Sequence, residues 1–80
     1  MTTIAIPQRI LAEMTAAYAN HGSFRSAHEA YGVIAEEVAE FFDEVRKRDR
    51  DIPALVRELI QIAACAQRFA IQLEQDGITR

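Results

Sequence analysis

The sequence has few residues that carry covalent or redox chemistry, with one cysteine, no tryptophan and two histidines among its 80 residues. A single cysteine cannot form a disulfide within the chain, so a reducing compartment is the expected setting. The longest unbroken apolar run, IAACA, is far too short to span a bilayer. The first residues, MTTIAIPQR, lack the basic start and apolar core of a signal peptide. We therefore expect a cytoplasmic protein with no membrane partner.

Basic charge is also scarce, since 9 Lys and Arg residues stand against 12 Asp and Glu residues and the net charge is -3. This balance argues against a surface that binds duplex nucleic acid or an anionic membrane. The one basic run, Arg46 to Arg48 with Arg50 beyond it, is interleaved with acidic residues and favours a solvated helix end over a nucleic-acid patch. The chain has no glycine-rich phosphate loop and no Cys/His set of the kind that binds zinc.

Apolar residues, by contrast, make up 50% of the chain. A chain of this length forms one domain, here residues 1–80, and buries only about 60% of the surface that its unfolded form exposes. Much apolar surface with little chain to cover it predicts an oligomer, either a homodimer or a dimer of dimers.

The spacing of apolar residues predicts three helices and no strands. The first helix runs from Pro7 to Asn20, and Gly22 follows as its stop signal. The expected fold is all-α, with this short helix and two long antiparallel helices that complete a core of the four-helix-bundle type by oligomerisation.

Capping residues mark the ends of the two long helices. Ser26 and Glu29 fit a capping box at the start of the second helix, which should end in the charged stretch 46–50. Asp51 can cap the third helix, Pro53 suits its first turn, and Gly77 ends it.

Each long helix carries an apolar stripe, which we centre on Val38 in the second helix and on Leu59 in the third. Tyr31 and Phe69 belong to these stripes and are expected in the core. Gly32 interrupts the second helix and would allow a neighbouring backbone to approach closely. Cys65, between small residues, is expected to be a packed helix cysteine and not a nucleophile.

Acidic residues lie beside both stripes in the same relation. Glu37 and Glu40 lie about 100° and 160° to one side of Val38, at about 100° per residue. Glu58 and Gln61 lie at the same angles from the centre of the third helix. In an antiparallel pair these flanks can face a common groove, where carboxylates would repel unless they surround a hard cation such as Mg²⁺. The alternative is a solvated acidic face without metal.

At these positions the chain resembles the MazG-like family of all-α nucleoside triphosphate pyrophosphohydrolases. The family pattern is Glu-Glu-x-x-Glu on one helix and Glu-x-x-Asp on the next. Here it reads Glu36-Glu37-Val38-Ala39-Glu40 and then Glu58-Leu59-Ile60-Gln61, so that an amide stands in place of the aspartate. The similarity in style extends from HGSFRSAHEAYGVIAEE through RELIQIAACAQRFA, which is most of the chain.

The resemblance implies a magnesium-dependent hydrolase, with manganese as a substitute, that cleaves a nucleoside triphosphate to a monophosphate and pyrophosphate. It implies Glu37, Glu40, Glu58 and Gln61 as metal ligands. Glu36 and Glu37 would be the catalytic residues, with Glu36 binding a further metal or orienting the attacking water. Because the amide of Gln61 carries no charge, a non-catalytic helical assembly or nucleotide-binding module that keeps the fold is the alternative.

Three residues outside the motif are candidates for substrate binding. Arg68 lies two turns after Gln61 on the same face and could meet a phosphate, or it could be an exposed helix arginine. Phe24 could stack on a base, or it could close one end of the core. His21 belongs to the same turn, whereas His28 is expected at the surface.

Overall fold

The computed structural model describes residues 5–77 and contains three helices within that range. They are α1 (Ile6–His21), α2 (Ala27–Val45) and α3 (Ile52–Gln75). No strand occurs in the described part of the chain, which confirms the all-α prediction. The observed bounds lie within one or two residues of the predicted ones. None of these helices is both long and apolar enough to cross a membrane.

Side-chain caps begin the two long helices, as predicted. The Ser26 hydroxyl accepts a hydrogen bond from the Glu29 amide at 3.0 Å. The Glu29 carboxylate in turn accepts one from the amide of Arg25 at 3.3 Å, one residue earlier than in the standard capping box. Asp51 accepts a hydrogen bond from the amide of Ala54 at 3.2 Å. These bonds satisfy amides that have no partner within the helix.

Glycine ends α1 and follows α3, again as predicted. Gly22 and Gly77 have φ angles of 70° and 65°, a left-handed conformation that favours glycine. Within residues 5–77, a Cβ placed at Gly32 would meet no atom of another element within 4 Å, so no described backbone approaches it closely. Close approach by a second copy of the chain stays a prediction.

Helix α3 is the central helix of the fold, because it packs against both α1 and α2. The other two helices do not pack against each other within residues 5–77. The core between the connection 22–26, α2 and α3 is formed by Phe24, Ala30 and Cys65, with Phe69 packed at its edge. The rings of Phe24 and Phe69 meet edge to face, with centroids 5.5 Å apart. Cys65 and Phe69 thus take the packing roles that were expected of them.

The predicted stripe centres do not face the core. Val38 is 47% exposed, Leu59 is 48% exposed and Tyr31 is 73% exposed. The buried face of α3 is formed instead by Ile60, Ala64, Cys65, Arg68 and Gln72. The difference is about one residue of rotation, or roughly 100°. This rotation arises because α3 packs against both α1 and α2. Exposed apolar side chains such as Leu59 and Leu73 then remain on the side that no described helix covers.

These outward side chains form a surface that we term the uncovered apolar face. It consists of Tyr31, Val38 and Phe42 on α2 and Leu59 and Leu73 on α3, all of them exposed. These residues lie on the same rotational side of α2 and of α3. In an antiparallel pair they therefore share one face, which lies on the side away from α1.

The chain also exposes more surface than its mass requires. Its accessible surface is 6036 Å². A compact monomer of 9.0 kDa exposes about 4,900 Å². The radius of gyration is 13.9 Å, against about 11.6 Å for a compact domain of this length.

Candidate metal centre

Three carboxylates from two helices converge on the side of the α2–α3 pair that faces α1. Glu37 and Glu40 extend from α2, and Glu58 extends from α3. One carboxylate oxygen of each residue lies within 4.8 Å of the other two. Their convergence follows from the sequence, because a spacing of three residues places both α2 acids on one side of the helix. We term these residues the carboxylate cluster.

Part of this cluster is withdrawn from solvent. Glu37 and Glu58 are half-buried, whereas Glu40 is exposed. The Oε2 atoms of Glu37 and Glu58 are buried and have no hydrogen-bond partner among the described residues. A buried polar atom without a partner costs about 1–3 kcal/mol, and more when it is charged. Two such atoms on neighbouring members of the cluster fit a ligand that neutralises both.

The pKa values of Glu37 and Glu58 are shifted in the direction expected for carboxylates that no positive charge neutralises. Burial raises the pKa of Glu37, and the charges of Glu40 and Glu58 raise it further. Burial also raises the pKa of Glu58, with Glu40 as the next contribution. The ion pairs within residues 5–77 lie elsewhere, between Asp43 and Arg46 and between Glu44 and Lys47. No basic side chain of the described residues therefore forms an ion pair with the cluster.

The donor set suits a hard divalent cation. Carboxylate oxygens are the ligands that Mg²⁺ and Mn²⁺ prefer, and Mg²⁺ commonly binds through a few carboxylates while it retains several waters. Helical bundles build such sites from acidic side chains on facing helices. The residues present therefore fit a cation of this class.

Glu36 and Gln61, the other motif residues, lie beside the cluster in two adjoining pockets. Glu36 is exposed and is not one of the three converging acids, although it lines a pocket together with Glu37. Gln61 is half-buried and lines a second pocket, also with Glu37. Glu37 thus connects the carboxylate cluster to both pockets.

The two pockets differ in their walls. The first, which we term the α1–α3 pocket, has a volume of about 210 Å³ and lies mainly between those two helices. The second, which we term the loop pocket, has a volume of about 360 Å³ and lies between the connection 22–24 and α2. His21, Val33, Glu37 and Arg68 line both.

Arg68 is neither an exposed helix arginine nor a freely mobile side chain. It is 5% exposed, and its guanidinium donates a hydrogen bond to the carbonyl oxygen of Gly22 at 2.8 Å. The guanidinium carbon lies 4.1 Å from the centre of the Phe24 ring and 5.5 Å from that of Tyr18. Cation–π contacts of this kind hold the positive charge against the aromatic faces.

The other two substrate-binding candidates differ in accessibility. Phe24 is buried and its ring contacts both Phe69 and Arg68, which favours the interpretation that it closes one end of the core. His21, the last residue of α1, is exposed and lines both pockets. His28 is exposed near the start of α2, as expected.

Sequence reasoning missed Gln72, Glu13 and Asn20. Gln72 is buried and holds the connection between α1 and α2, as described below, while Glu13 and Asn20 line the α1–α3 pocket. A signal for Gln72 was present, because Gln61, Arg68 and Gln72 recur at steps of seven and four and so form one polar line along α3. Such a line within a helix indicates a buried polar role when its neighbours are small.

Cys65 does not have the surroundings of a nucleophile. It is a free, buried cysteine, and burial raises the pKa of its thiol. A thiol with a raised pKa forms little of the reactive thiolate at neutral pH.

Comparisons with protein-family models, with curated protein sequences and with solved structures gave no match. Membership of the MazG-like family therefore stays a prediction from the motif residues.

Proposed function

We propose that this chain is a MazG-like, divalent-cation-dependent hydrolase that cleaves a nucleoside triphosphate to a monophosphate and pyrophosphate. The observation that carries the proposal is the convergence of Glu37, Glu40 and Glu58 with two buried oxygen atoms that lack a partner. The spacing of the motif, Glu36-Glu37-x-x-Glu40 followed by Glu58, supports the same conclusion.

The residues have distinct proposed roles. Glu37, Glu40 and Glu58 would hold Mg²⁺, with Mn²⁺ as a substitute, and the side-chain oxygen of Gln61 would add a neutral ligand. A bound cation neutralises phosphate oxygens and lowers the pKa of a coordinated water. Glu36, exposed beside Glu37 in the loop pocket, would orient the attacking water and accept its proton.

The α1–α3 pocket and the loop pocket would receive the nucleotide. Both adjoin Glu37, so a phosphate placed in either lies next to the cation-binding carboxylates. His21 lines both pockets and is accessible, so its imidazole can contact a bound nucleotide.

We also propose that two copies of the chain associate through the uncovered apolar face. Residues 5–77 of a single copy form three helices, and the longest two leave that face without a cover from the described residues. Pairing two α2–α3 units would create a core of the four-helix-bundle type, either as a homodimer or within a dimer of dimers.

A second candidate function is a non-catalytic helical module that binds nucleotides or supports assembly. Gln61 favours it, because an amide in place of the expected aspartate reduces the negative charge available to a cation. The large uncovered apolar face is equally consistent with such a role.

One experiment tests the hydrolase and separates it from the module. Nucleoside triphosphates would be screened with millimolar Mg²⁺, and release of monophosphate and pyrophosphate would be measured for the natural chain and for Gln61→Asp. We expect weak activity in the natural chain, retained or increased in Gln61→Asp because an added charge binds the cation more tightly. Glu40→Gln should abolish activity, whereas Glu74→Gln, a remote exposed control on α3, should not.

The alternatives give different results. Activity that appears only in Gln61→Asp would favour a degenerate enzyme and hence the non-catalytic module. If neither form hydrolyses any nucleotide, although both are folded and bind metal, the catalytic proposal is wrong. A lower activity in Gln61→Asp would assign a separate role to the amide hydrogens of Gln61.

A further inference from the structure

The connection between α1 and α2 is fixed to α3 by buried hydrogen bonds. The Phe24 amide donates to the side-chain oxygen of Gln72 at 2.9 Å, and the Gln72 side-chain nitrogen donates to the Phe24 carbonyl at 2.7 Å. Arg68 adds the bond to the carbonyl of Gly22 at 2.8 Å. Gln72 is 5% exposed, so both of its bonds are shielded from water. The wall of the loop pocket is therefore a fixed surface.

Arg68 is 5% exposed, and its positive charge forms no ion pair among residues 5–77. Its partners there are the carbonyl oxygen of Gly22, the rings of Tyr18 and Phe24 and the thiol of Cys65. A guanidinium has five N–H donors in a planar fork, and the hydrogen bond to Gly22 uses one of them. Burying a charge without a counter-ion is costly, so this arrangement suits a site that obtains its anion from a ligand.

The groups around Arg68 in the loop pocket determine which kind of anion can bind there. The pocket walls also include Glu36 and Glu37, whose negative charges would repel an anion in the absence of metal. A cation held by Glu37, Glu40 and Glu58 would offset this repulsion, because it would add positive charge beside Glu37 to that of Arg68. An anion with oxygens directed to both sides, as in a phosphate or diphosphate group, would then bridge the cation and the guanidinium.

We propose that Arg68 is a phosphate-binding residue, and that it receives a diphosphate group of the substrate or the pyrophosphate product in the loop pocket. The proposal rests on the proposed function for the cation at the carboxylate cluster. It adds where the phosphate groups lie and what holds them. The cation and the diphosphate should each raise the affinity for the other, because binding couplings are reciprocal.

The test uses inorganic pyrophosphate as the probe, with the full chain followed by ¹H–¹⁵N NMR and isothermal titration calorimetry. In the natural chain, pyrophosphate with Mg²⁺ should shift the Arg68 side-chain Nε–H signal and the amides of Gly22 and Phe24. Arg68→Gln should weaken pyrophosphate binding by roughly tenfold to a hundredfold, the effect of losing hydrogen bonds to a charged group. Arg25→Gln removes the same charge from an exposed position in the same connection and should change the affinity less than about twofold.

Several outcomes would overturn the proposal. Shifts confined to the basic segment Arg46 to Arg50 would place the anion there and not at Arg68. Unchanged affinity for pyrophosphate in an Arg68→Gln protein would also overturn the proposal, provided that its circular dichroism spectrum matches that of the natural chain. If that variant does not fold, the shift map of the natural chain decides, with Arg68→Lys as a second variant that retains the charge but loses the planar fork.

The outcomes also separate this proposal from the hydrolase. A Mg²⁺-dependent response of Arg68 to pyrophosphate in a protein that hydrolyses no nucleotide would support the phosphate site and reject the proposed activity. Mg²⁺ binding at the carboxylate cluster without any response of Arg68 to pyrophosphate would reject the phosphate site and leave the metal centre in place.

Discussion

Replacing Glu37 by glutamine removes one charge from the carboxylate cluster and almost no volume. At the limiting separation of 4.8 Å, two unit charges repel by about 0.9 kcal/mol in water and by about 3.5 kcal/mol at an effective dielectric constant of 20. Glu40 is exposed, so the value for water applies to its pair with Glu37, whereas Glu58 is half-buried and its pair lies between the two limits. After solvent screening, we expect Glu37→Gln to stabilise the metal-free protein by about 1–2 kcal/mol.

The assay is thermal unfolding in EDTA and in millimolar MgCl₂. A gain of 1 kcal/mol raises the melting temperature of a domain of this size by about 4–8 °C. The natural chain should instead gain stability from Mg²⁺, by about 2.7 kcal/mol when the metal concentration is a hundred times its dissociation constant. Glu74→Gln is the matched control, because it removes an exposed charge from α3 outside the cluster. If Glu37→Gln melts like this control without metal and still responds to Mg²⁺, the electrostatic reasoning is wrong.

Three further predictions follow from the fold. Gly32→Ala should stabilise the chain by about 0.5–1 kcal/mol in urea denaturation. The position is exposed within a helix, and the added methyl group meets open space. Destabilisation would show that another copy packs there. If the proposed oligomer forms, Val38→Lys should convert it to a monomer in light scattering, while Leu11→Lys, a change at an exposed position on α1, should not. A natural chain that is monomeric at micromolar concentration would contradict this. The raised pKa values of Glu37 and Glu58 make protonation favour the folded state below pH 4.5, a contribution lost as the pH rises through those values. The stability of the metal-free natural chain, relative to Glu37→Gln, should therefore fall as the pH rises above 4.5 in urea titrations, and a constant difference would refute it.

The helix ends were predictable because their determinants are local. Ser26 and Asp51 each bond to an amide three residues away, and Gly22 adopts a conformation that other residues reach at a cost. The rotation of the long helices was not predictable in this way. Tyr31 and Val38 are as apolar as core residues, and only the positions of α1 and α3 show that they point outward.

The carboxylate cluster was predictable although the stripe centres were wrong. A spacing of three residues keeps Glu37 and Glu40 together whichever face of α2 is buried, and Glu58 bears the same relation to α3. The environment of Arg68 was not predictable, because its partner Gly22 is 46 residues away in the sequence. Local patterns contain no information about a contact of that kind.

The absence of packing between α1 and α2 separates two parts of the molecule energetically. The carboxylate cluster is made by α2 and α3, which adjoin in sequence, whereas the hydrogen bonds that fix the preceding connection join residues 46 and 48 positions apart. Closing those long loops costs more chain entropy than forming the α2–α3 hairpin, so the hairpin can form first and α1 can dock afterwards. By the same reasoning, we expect undocking of α1 to be a partial opening that exposes the α1–α3 pocket while the three acids stay assembled. Entry to that pocket and integrity of the carboxylate cluster would then be governed by different contacts.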